Sequence, residues 1–313
     1  MKIIILVLST VLLLSQCGQP AKKSNNVTIV CTTSMVADAA KNVVPKGVEV
    51  ISLMGPGVDP HLYKATQGDL ERLQEAEVVV YSGLHLEGKM ADILEKLGKI
   101  KTVINLSDGV PREKLLHPQG DAEGHDPHIW FDLTLWAKGV AHVKTELAKK
   151  FPSWQEDLDA NYFAFEQSLL ATHNWAITKM DSIPQEHRTL VTAHDAFSYF
   201  GRAYHLKVLG LQGISTVSEF GLKDISDLVN TIVAEKIPAV FVESSVPKKS
   251  IEAVIEGCRS NGHHVVLGGQ LYSDALGEIG TPTESLIGAF RANVKTISHG
   301  LVKKRGQIDT SND

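Results

Sequence analysis

The sequence predicts an α/β fold of two lobes, each a mainly parallel sheet flanked by helices, joined by one long rigid helix. Short apolar strand patterns alternate with helical patterns in both halves of the 313-residue chain. This alternation is typical of parallel sheets covered by helices. The middle of the chain carries one long helical pattern instead of strands. The hydrophobic content of 43% and the charged content of 21% are those of a folded domain.

The strand patterns are short runs rich in valine, isoleucine and leucine. They fall at residues 27–33, 48–54, 78–82, 102–106, 189–192, 207–211, 239–243 and 264–267. Helical patterns lie between them, for example at 68–75, 90–97, 224–235 and 249–259. The first four strands therefore belong to an N-terminal lobe, residues 27–152, and the last four belong to a C-terminal lobe, residues 184–313.

The long helix is predicted from residues 133–180, which contain no convincing strand pattern. Pro152 and the capping-box pattern from Ser153 to Glu156 indicate where a helix starts. Apolar residues then recur at helical spacing until Pro184 stops the pattern. Within this linking segment, 153–183, a helix from the capping box to residue 180 would contain about 28 residues and span roughly 42 Å at about 1.5 Å per residue. We expect this helix to join the two lobes as a rigid spine.

Residues 1–17 are typical of an export signal. An apolar stretch at 3–14 is shorter than the roughly 20 residues that a membrane-spanning helix needs. The sequence Leu-Ser-Gln-Cys at 14–17 resembles the lipobox of bacterial lipoproteins, in which the cysteine is lipidated and begins the mature protein. Gln16 stands where a small residue is usual, so an ordinary cleaved signal is the alternative to lipidation at Cys17. Residues 18–26 are polar and predict a flexible tether.

Charge and cysteine content argue against two kinds of site. The formal net charge is -5, whereas a nucleic-acid-binding protein usually has a basic face. Cys31 and Cys258 are far apart in the sequence, and neither belongs to a Cys-x-x-Cys pattern, so cysteine metal ligation is not indicated. We expect both to be buried thiols that pack as small apolar side chains.

Four segments carry side chains suited to chemistry. They are Gly-Val-Asp-Pro-His at 57–61, His-Asp-Pro-His-Ile-Trp at 125–130, Thr-Ala-His-Asp at 192–195 and Gly-Gly-Gln-Leu-Tyr-Ser-Asp at 268–274. Three of them follow strand patterns, and open parallel sheets place ligands outside the carboxyl ends of their strands. Two segments come from each lobe, so all four can face one cleft between the lobes.

The residue types in these segments indicate a metal site. Neutral imidazole and carboxylate are standard ligands of zinc and its neighbours. A proline directly before His61 and before His128 restricts the backbone and helps to aim each ring. The aspartates two residues before them, Asp59 and Asp126, are predicted to orient the rings as hydrogen-bond acceptors. His194 is the third candidate ligand.

An ordered set of five stretches carries a resemblance to a known family. The stretches are residues 32–38, 59–63, 127–130, 191–197 and 242–245. Taken in order, they resemble the zinc- and manganese-binding receptors of bacterial metal ABC importers, the cluster A-I solute-binding proteins. The likeness covers essentially the whole mature chain. It implies two lobes joined by a long helix, with a metal site in the cleft between them, and it places the ligands at His61, His128, His194 and Asp274.

The same resemblance implies a receptor that captures one divalent ion and delivers it to a membrane permease. The ion would be Zn2+ or Mn2+, and three nitrogens with one carboxylate favour zinc in the Irving–Williams order. The loop at 116–124 contains only His117, so the long histidine-rich loop of many zinc-specific members is missing. The receptor would be an exported monomer in the periplasm or on the outer face of the cell membrane, with a lipid anchor, no nucleic-acid partner and no enzymatic activity.

Two other classes of function stay open at this point. A zinc-dependent hydrolase also uses histidines and a carboxylate, but its metal usually keeps an open position beside a general base, and no His-Glu-x-x-His pattern occurs. An adhesin would use the two lobes only as a scaffold. A metal titration combined with an activity screen separates these classes.

Overall fold

The computed structural model describes residues 27–118, 124–218 and 220–302. The predicted signal at 1–17, with the lipidation candidate Cys17, and the tether at 18–26 lie outside the described residues. Within the described ranges, no helix is both long enough and apolar enough to cross a membrane. The chain forms the α/β fold with parallel sheets and a long central helix that the sequence predicted.

The N-terminal lobe is built on a parallel four-stranded sheet with the strand order β2-β1-β3-β4. Its strands are β1 (Thr28–Cys31), β2 (Glu49–Ser52), β3 (Val78–Tyr81) and β4 (Thr102–Asn105), connected by α1 (Ser34–Val43), α2 (Gln67–Glu75) and α3 (Ala91–Gly98). Ile29 and Cys31 point into the large core, whereas Val30 points to the opposite face, against α2 and α3. Because both faces of the sheet are covered, the two inner strands β1 and β3 are almost continuously apolar, whereas the outer strands β2 and β4 begin and end with polar residues.

The helix α4 (Leu133–Lys150) completes this lobe and was not assigned from the sequence. It begins after Asp132, whose Oδ1 accepts hydrogen bonds from the backbone N of Thr134 and of Leu135. A carboxylate in this position caps the first turn of a helix. His128, one of the candidate ligands, directly precedes the short turn that leads into α4, so this cap helps to fix the position of His128.

The C-terminal lobe contains two pairs of parallel strands. They are β5 (Thr189–His194) with β6 (Lys207–Gln212), and β7 (Ala239–Glu243) with β8 (Val266–Leu271). Its helices are α6 (Ser198–Tyr204), α7 (Leu222–Glu235), α8 (Lys249–Ser260) and α9 (Leu286–Val302). The strand β5 lies beside β7, with α7 and α8 packed on one face and α6 and α9 on the other.

The strand β8 differs from the sequence prediction, which ended it at residue 267. It continues through Gly268 and Gly269 to Leu271. The ring of Phe241 fills the space that a Cβ on Gly268 would occupy, and Gly269 has a φ of 139°, accompanied by a register shift in the ladder. These glycines permit close packing inside a strand. The sequence alone indicated a loop here because glycines interrupt the apolar pattern.

The predicted spine is α5 (Gln155–Asp181), a helix of 27 residues and about 40 Å. It packs against α1 and α4 of the N-terminal lobe and against α6 and α9 of the C-terminal lobe. The capping box expected at Ser153 does not form. A 3-10 turn at Pro152–Trp154 leads into the helix, and its N-cap residue makes no side-chain cap. The exact boundaries of the two lobes remain a prediction.

Candidate metal centre

The four ligand positions that the family resemblance implied meet in the cleft between the lobes. They are His61, His128, His194 and Asp274. Each residue is at most 3% exposed, and the ligand atoms all lie within 4.8 Å of one another. Each lobe contributes two of these side chains, so the cluster exists only because the lobes are joined.

His61 lies in the loop after β2, directly behind the buried Pro60. Oδ1 of Asp59 accepts a hydrogen bond from the backbone N of His61 at 2.9 Å. We expected the carboxylate of Asp59 to contact the ring of His61, but it contacts the backbone N of His61 instead. An aspartate two residues before an N–H forms this local turn readily. Oδ2 of Asp59 accepts a second hydrogen bond, from the hydroxyl of Thr216, at 2.6 Å.

His128 directly precedes a 3-10 turn at Ile129–Phe131. Oδ1 of Asp126 accepts a hydrogen bond from the backbone N of His128 at 2.9 Å and lies 2.7 Å from the ring Nδ1. A proton on Nδ1 that is shared with Asp126 leaves Nε2 to face the cluster as a donor to a metal. Asp126 therefore makes the ring contact that the sequence predicted.

His194 is the last residue of β5, and its partner is Glu243, the last residue of the neighbouring β7. Oε1 of Glu243 accepts a hydrogen bond from the backbone N of His194 at 2.9 Å, and Oε2 lies 2.6 Å from the ring Nδ1. The sequence analysis assigned Glu243 no role. Its position at the carboxyl end of a parallel strand, beside the strand that carries a ligand, was the signal that could have identified it.

Asp274 lies three residues after the end of β8. The indole Nε1 of Trp130 donates a hydrogen bond to the backbone O of Ser273 at 3.0 Å, which fixes this loop of the C-terminal lobe to the N-terminal lobe. The distances from the carboxylate oxygens of Asp274 to the ring Nε2 atoms are 3.2 Å for His194, 3.4 Å for His128 and 4.0 Å for His61. The carboxylate thus faces all three imidazoles.

The arrangement fits a tetrahedrally bound ion. Bonds of about 2.0–2.1 Å place neighbouring donors of a tetrahedral ion about 3.3 Å apart, and the Nε2 atoms of His61 and His128 are 3.4 Å apart. Both oxygens of Asp274 and Nε2 of His194 are buried without a hydrogen-bond partner among the described residues. Buried polar atoms normally have one. A cation at the centre of the cluster would supply the missing contact.

The three histidines of the cluster differ in pKa because their surroundings differ. Burial lowers the pKa of His61 to about 3. Burial alone would lower the pKa of His128 as well, but the carboxylates of Asp126 and Asp274 raise it to about 9. For His194, the carboxylate at the end of β7 and Asp274 outweigh burial and hold the pKa well above its usual value. The pKa of Asp274 is well below its usual value despite burial, because these two imidazoles face it.

Cysteines and further histidines lie outside the cluster. Cys31 and Cys258 are buried free thiols, as expected. Nε2 of His263 lies 2.8 Å from the backbone O of Ile237. The rings of His117 and His125 are 4.5 Å apart and form a separate pair. None of these side chains belongs to the group of four donors.

Comparison with known proteins identifies the family. Residues 29–300 match ZnuA, described as zinc-uptake complex component A, periplasmic. The chain is 48% identical over 284 residues to the manganese-binding lipoprotein MntA of Bacillus subtilis, covering 91% of this chain and 92% of that protein. It is 43% identical over 275 residues to the zinc-binding protein TroA of Treponema pallidum, covering 88% and 89%. The solved structure of that periplasmic TroA matches with a TM-score of 0.86 at 42% identity, covering 89% of this chain and 100% of that chain. The chain therefore belongs to the ZnuA family of metal-binding, solute-binding components of ABC importers.

Proposed function

We propose that this protein is the extracytoplasmic receptor of a metal ABC importer, which captures one Zn2+ or Mn2+ ion and delivers it to the membrane permease. The proposed ligands are His61, His128, His194 and Asp274. The observation that carries the proposal is the buried cluster of four donors contributed by both lobes. An ion bound there contacts both lobes at once, so a permease that contacts both lobes can distinguish the loaded receptor from the empty one.

The donor set favours zinc over manganese in binding strength. Three imidazole nitrogens and one carboxylate form a borderline-soft site, and zinc lies above manganese in the Irving–Williams order. The carboxylates of Asp126 and Glu243 lie behind the rings of two ligands, so neither adds a hard oxygen donor to the ion. One relative is named for zinc and another for manganese. We therefore propose that the site accepts both ions and binds zinc more tightly.

We propose a binding protein and not an enzyme. Four protein donors complete a tetrahedron, whereas catalytic zinc keeps one position for water or substrate. Asp126 and Glu243 contact ring Nδ1 atoms, so they are not placed as general bases beside a metal-bound water. An adhesin would have no need of a buried donor cluster. The relatives named above are metal-binding proteins, in agreement with this choice.

We also propose that the protein is exported and held at the membrane by a lipid on Cys17, as a monomer that docks on its permease. The family is described as periplasmic, and the relative from Bacillus subtilis is named a lipoprotein. Cys17→Ser should give an exported protein that is no longer associated with the membrane, as measured by fractionation and mass spectrometry of the mature amino terminus. A wild type that is found free of membranes, with an unmodified amino terminus, would contradict the lipid anchor.

Thermal unfolding with and without added metal tests the binding site. An ion that binds only the folded state raises Tm through linkage. We expect Zn2+ and Mn2+ to raise the Tm of the mature protein. His61→Ala or His128→Ala removes one donor and should abolish most of the increase. His264→Ala is the matched control at an exposed histidine and should keep the full increase.

Two outcomes would contradict the proposal. If His61→Ala and His128→Ala both kept the wild-type increase in Tm with both ions, the ion would bind elsewhere. If the zinc-loaded wild type hydrolysed esters, phosphoesters or peptides, and His128→Ala abolished this activity while His264→Ala kept it, the protein would be a zinc hydrolase.

A further inference from the structure

One surface loop crosses the cleft and contacts the loop that carries a ligand of the opposite lobe. We define the strap as residues 213–218, which follow β6. The hydroxyl of Thr216 in the strap donates a hydrogen bond to Oδ2 of Asp59 at 2.6 Å. Oδ1 of the same carboxylate accepts from the backbone N of His61 at 2.9 Å. A single side chain thus connects the strap of the C-terminal lobe to a ligand of the N-terminal lobe.

The other end of the strap is fixed beside His194. Gln212 directly precedes the strap and pairs with His194 in the ladder between β5 and β6. Its side-chain Nε2 donates to the backbone O of Thr216 at 2.7 Å and to the backbone O of Ser218 at 2.5 Å. The strap is therefore a closed turn that is anchored next to one ligand and hydrogen-bonded, through Asp59, to the loop of another.

The strap also forms one wall of the cavity that reaches the cluster. This cavity has a volume of about 420 Å³, and Gly213, Ile214, Ser215 and Ser218 line it. Of the four proposed ligands, His61 alone is among its lining residues. All four proposed ligands are at most 3% exposed, so none is reached directly from the surface. The route from this cavity to the cluster therefore passes His61 beside the strap, and movement of the strap would widen it.

We propose that the hydrogen bond between Thr216 and Asp59 is a latch that holds the metal site closed. Thr216 is then a positioning residue that sets the rate at which the bound ion leaves, and this role rests on the proposed function. Breaking the latch frees the strap from the loop of His61. It leaves the four donor side chains unchanged, so release should become faster while the coordination of the ion stays the same.

Release of Zn2+ to an excess of chelator, followed by stopped flow, tests the latch. Thr216→Val removes the hydroxyl and keeps the shape of the side chain. A hydrogen bond to a charged acceptor corresponds to roughly a tenfold to hundredfold factor in an equilibrium constant, so we expect release at least about tenfold faster. Thr216→Ser keeps the hydroxyl and should release at nearly the wild-type rate. Thr231→Val removes a hydroxyl bond to the backbone O of Asp227 on α7 and is the matched control, with an expected wild-type rate.

Two further measurements distinguish a latch from a general loss of structure. The absorption spectrum of bound Co2+ should be the same in Thr216→Val and the wild type, because the donors are the same. Gln212→Leu removes two hydrogen bonds to the strap and should also accelerate release, which keeps the test available if Thr216→Val does not fold.

The latch is overturned by any of three results. The first is that Thr216→Val releases Zn2+ at the wild-type rate. The second is that Thr216→Ser releases Zn2+ as fast as Thr216→Val does. The third is that the Co2+ spectrum of Thr216→Val differs from that of the wild type. A wild type that binds no ion at all would contradict the proposed function itself, and so that failure is distinct from a failure of the latch alone.

Discussion

Two of the three imidazole rings in the cluster are held in place by carboxylates behind them. Oδ1 of Asp126 lies 2.7 Å from Nδ1 of His128, and Oε2 of Glu243 lies 2.6 Å from Nδ1 of His194. Such partners fix the tautomer and the direction of the ring, and they make the other nitrogen a stronger donor. The same carboxylates also stabilise a proton on each ring when no ion is bound, so the metal must compete with protons at two of its ligands.

Metal binding should therefore release protons from His128 and His194. The pKa of His128 is raised to about 9, and that of His194 is held well above its usual value, so both rings are protonated at neutral pH without an ion. The pKa of His61 is lowered to about 3, so this ring is already neutral. Raising the pH removes competing protons from these two rings, so metal affinity should increase with pH and fall as the solution is acidified.

Calorimetry in buffers of different ionisation enthalpy measures this proton release. We expect about two protons to be released for each Zn2+ bound at neutral pH. Binding that released no protons, with an affinity independent of pH between neutral and mildly alkaline solution, would contradict the protonated state of the metal-free site.

His194→Glu should change the preference between the two ions. It replaces a nitrogen donor with a hard oxygen, so zinc affinity should fall more than manganese affinity. Glu243 lies 2.6 Å from Nδ1 of His194, so the new carboxylate would face the carboxylate of Glu243 in a buried site. Repulsion between the two negative charges should weaken the binding of both ions. Adding Glu243→Gln should recover affinity for both and keep the lowered zinc-to-manganese ratio. Competition titrations on the three proteins measure this, and an unchanged or increased zinc preference would mean that His194 is not a ligand.

The sequence predicted the four donors that cluster in the cleft better than the groups that contact them. A proline and an aspartate before His61 and His128 are local signals, and the family resemblance added Asp274. The contact between His194 and Glu243 joins residues 49 positions apart. It depends on β5 lying beside β7, which no local pattern reveals. The spacing in the sequence also predicted the wrong contact for Asp59, with the ring of His61 instead of its backbone N. An aspartate can reach either group of a residue two positions later.

At the scale of elements, strand ends position the site. β5 ends at His194, β7 ends at Glu243 and β8 ends three residues before Asp274. Strand-helix alternation predicted all eight strands, but not that β5 and β8 continue beyond the predicted strand ends to the edge of the cleft. Packing decides these ends, as the ring of Phe241 against Gly268 illustrates.

A buried carboxyl group at the contact between α1 and α9 should make the stability of the fold depend on pH. Burial of Asp38 on α1 raises its pKa to about 6, although the backbone N of Leu286 and the charge of Lys41 partly offset this. A carboxyl whose pKa is higher in the folded protein than in the unfolded chain destabilises the fold as it ionises. Asp38→Asn should therefore increase stability at neutral pH, by about 2–3 kcal/mol, since a tenfold change in the acid dissociation constant corresponds to about 1.4 kcal/mol.

The same substitution should have little effect below about pH 3, where the carboxyl is protonated in both the folded and the unfolded protein. Denaturant titrations of the wild type and of Asp38→Asn at the two pH values measure the difference. Asp227→Asn, at an exposed carboxylate on α7, is the matched control and should change stability little at either pH. A destabilised Asp38→Asn at neutral pH would show that the ionised carboxylate is stabilising.

At the scale of the whole molecule, the spine α5 packs against helices of both lobes. Polar contacts also cross the cleft, from Trp130 to Ser273 and from the backbone N of Leu276 to Oγ of Ser34 at 3.0 Å. The lobes should therefore keep their relative position when the ion binds, and opening should be confined to the strap. The sequence predicted the spine from its length and periodicity, but the contacts across the cleft join residues more than a hundred positions apart and required the folded structure.

Small-angle scattering and hydrogen exchange test this rigidity together. The radius of gyration of the metal-free and zinc-loaded proteins should agree within error. Binding should slow exchange mainly in the strap and in the loops that carry the ligands, since these are the segments that the ion holds. A clear decrease in the radius of gyration would instead show a hinge closure of the two lobes, and α5 would not be a rigid spine.

Anomalous diffraction from crystals of the zinc-loaded protein tests most directly whether one ion binds between the lobes. Data recorded above and below the zinc absorption edge locate the ion without any assumption about its ligands. We expect one strong peak per chain, about 2.0–2.1 Å from the Nε2 atoms of His61, His128 and His194 and from one oxygen of Asp274. The strongest peak lying anywhere else on the chain, with none inside this cluster, would contradict the proposed site and the function built on it.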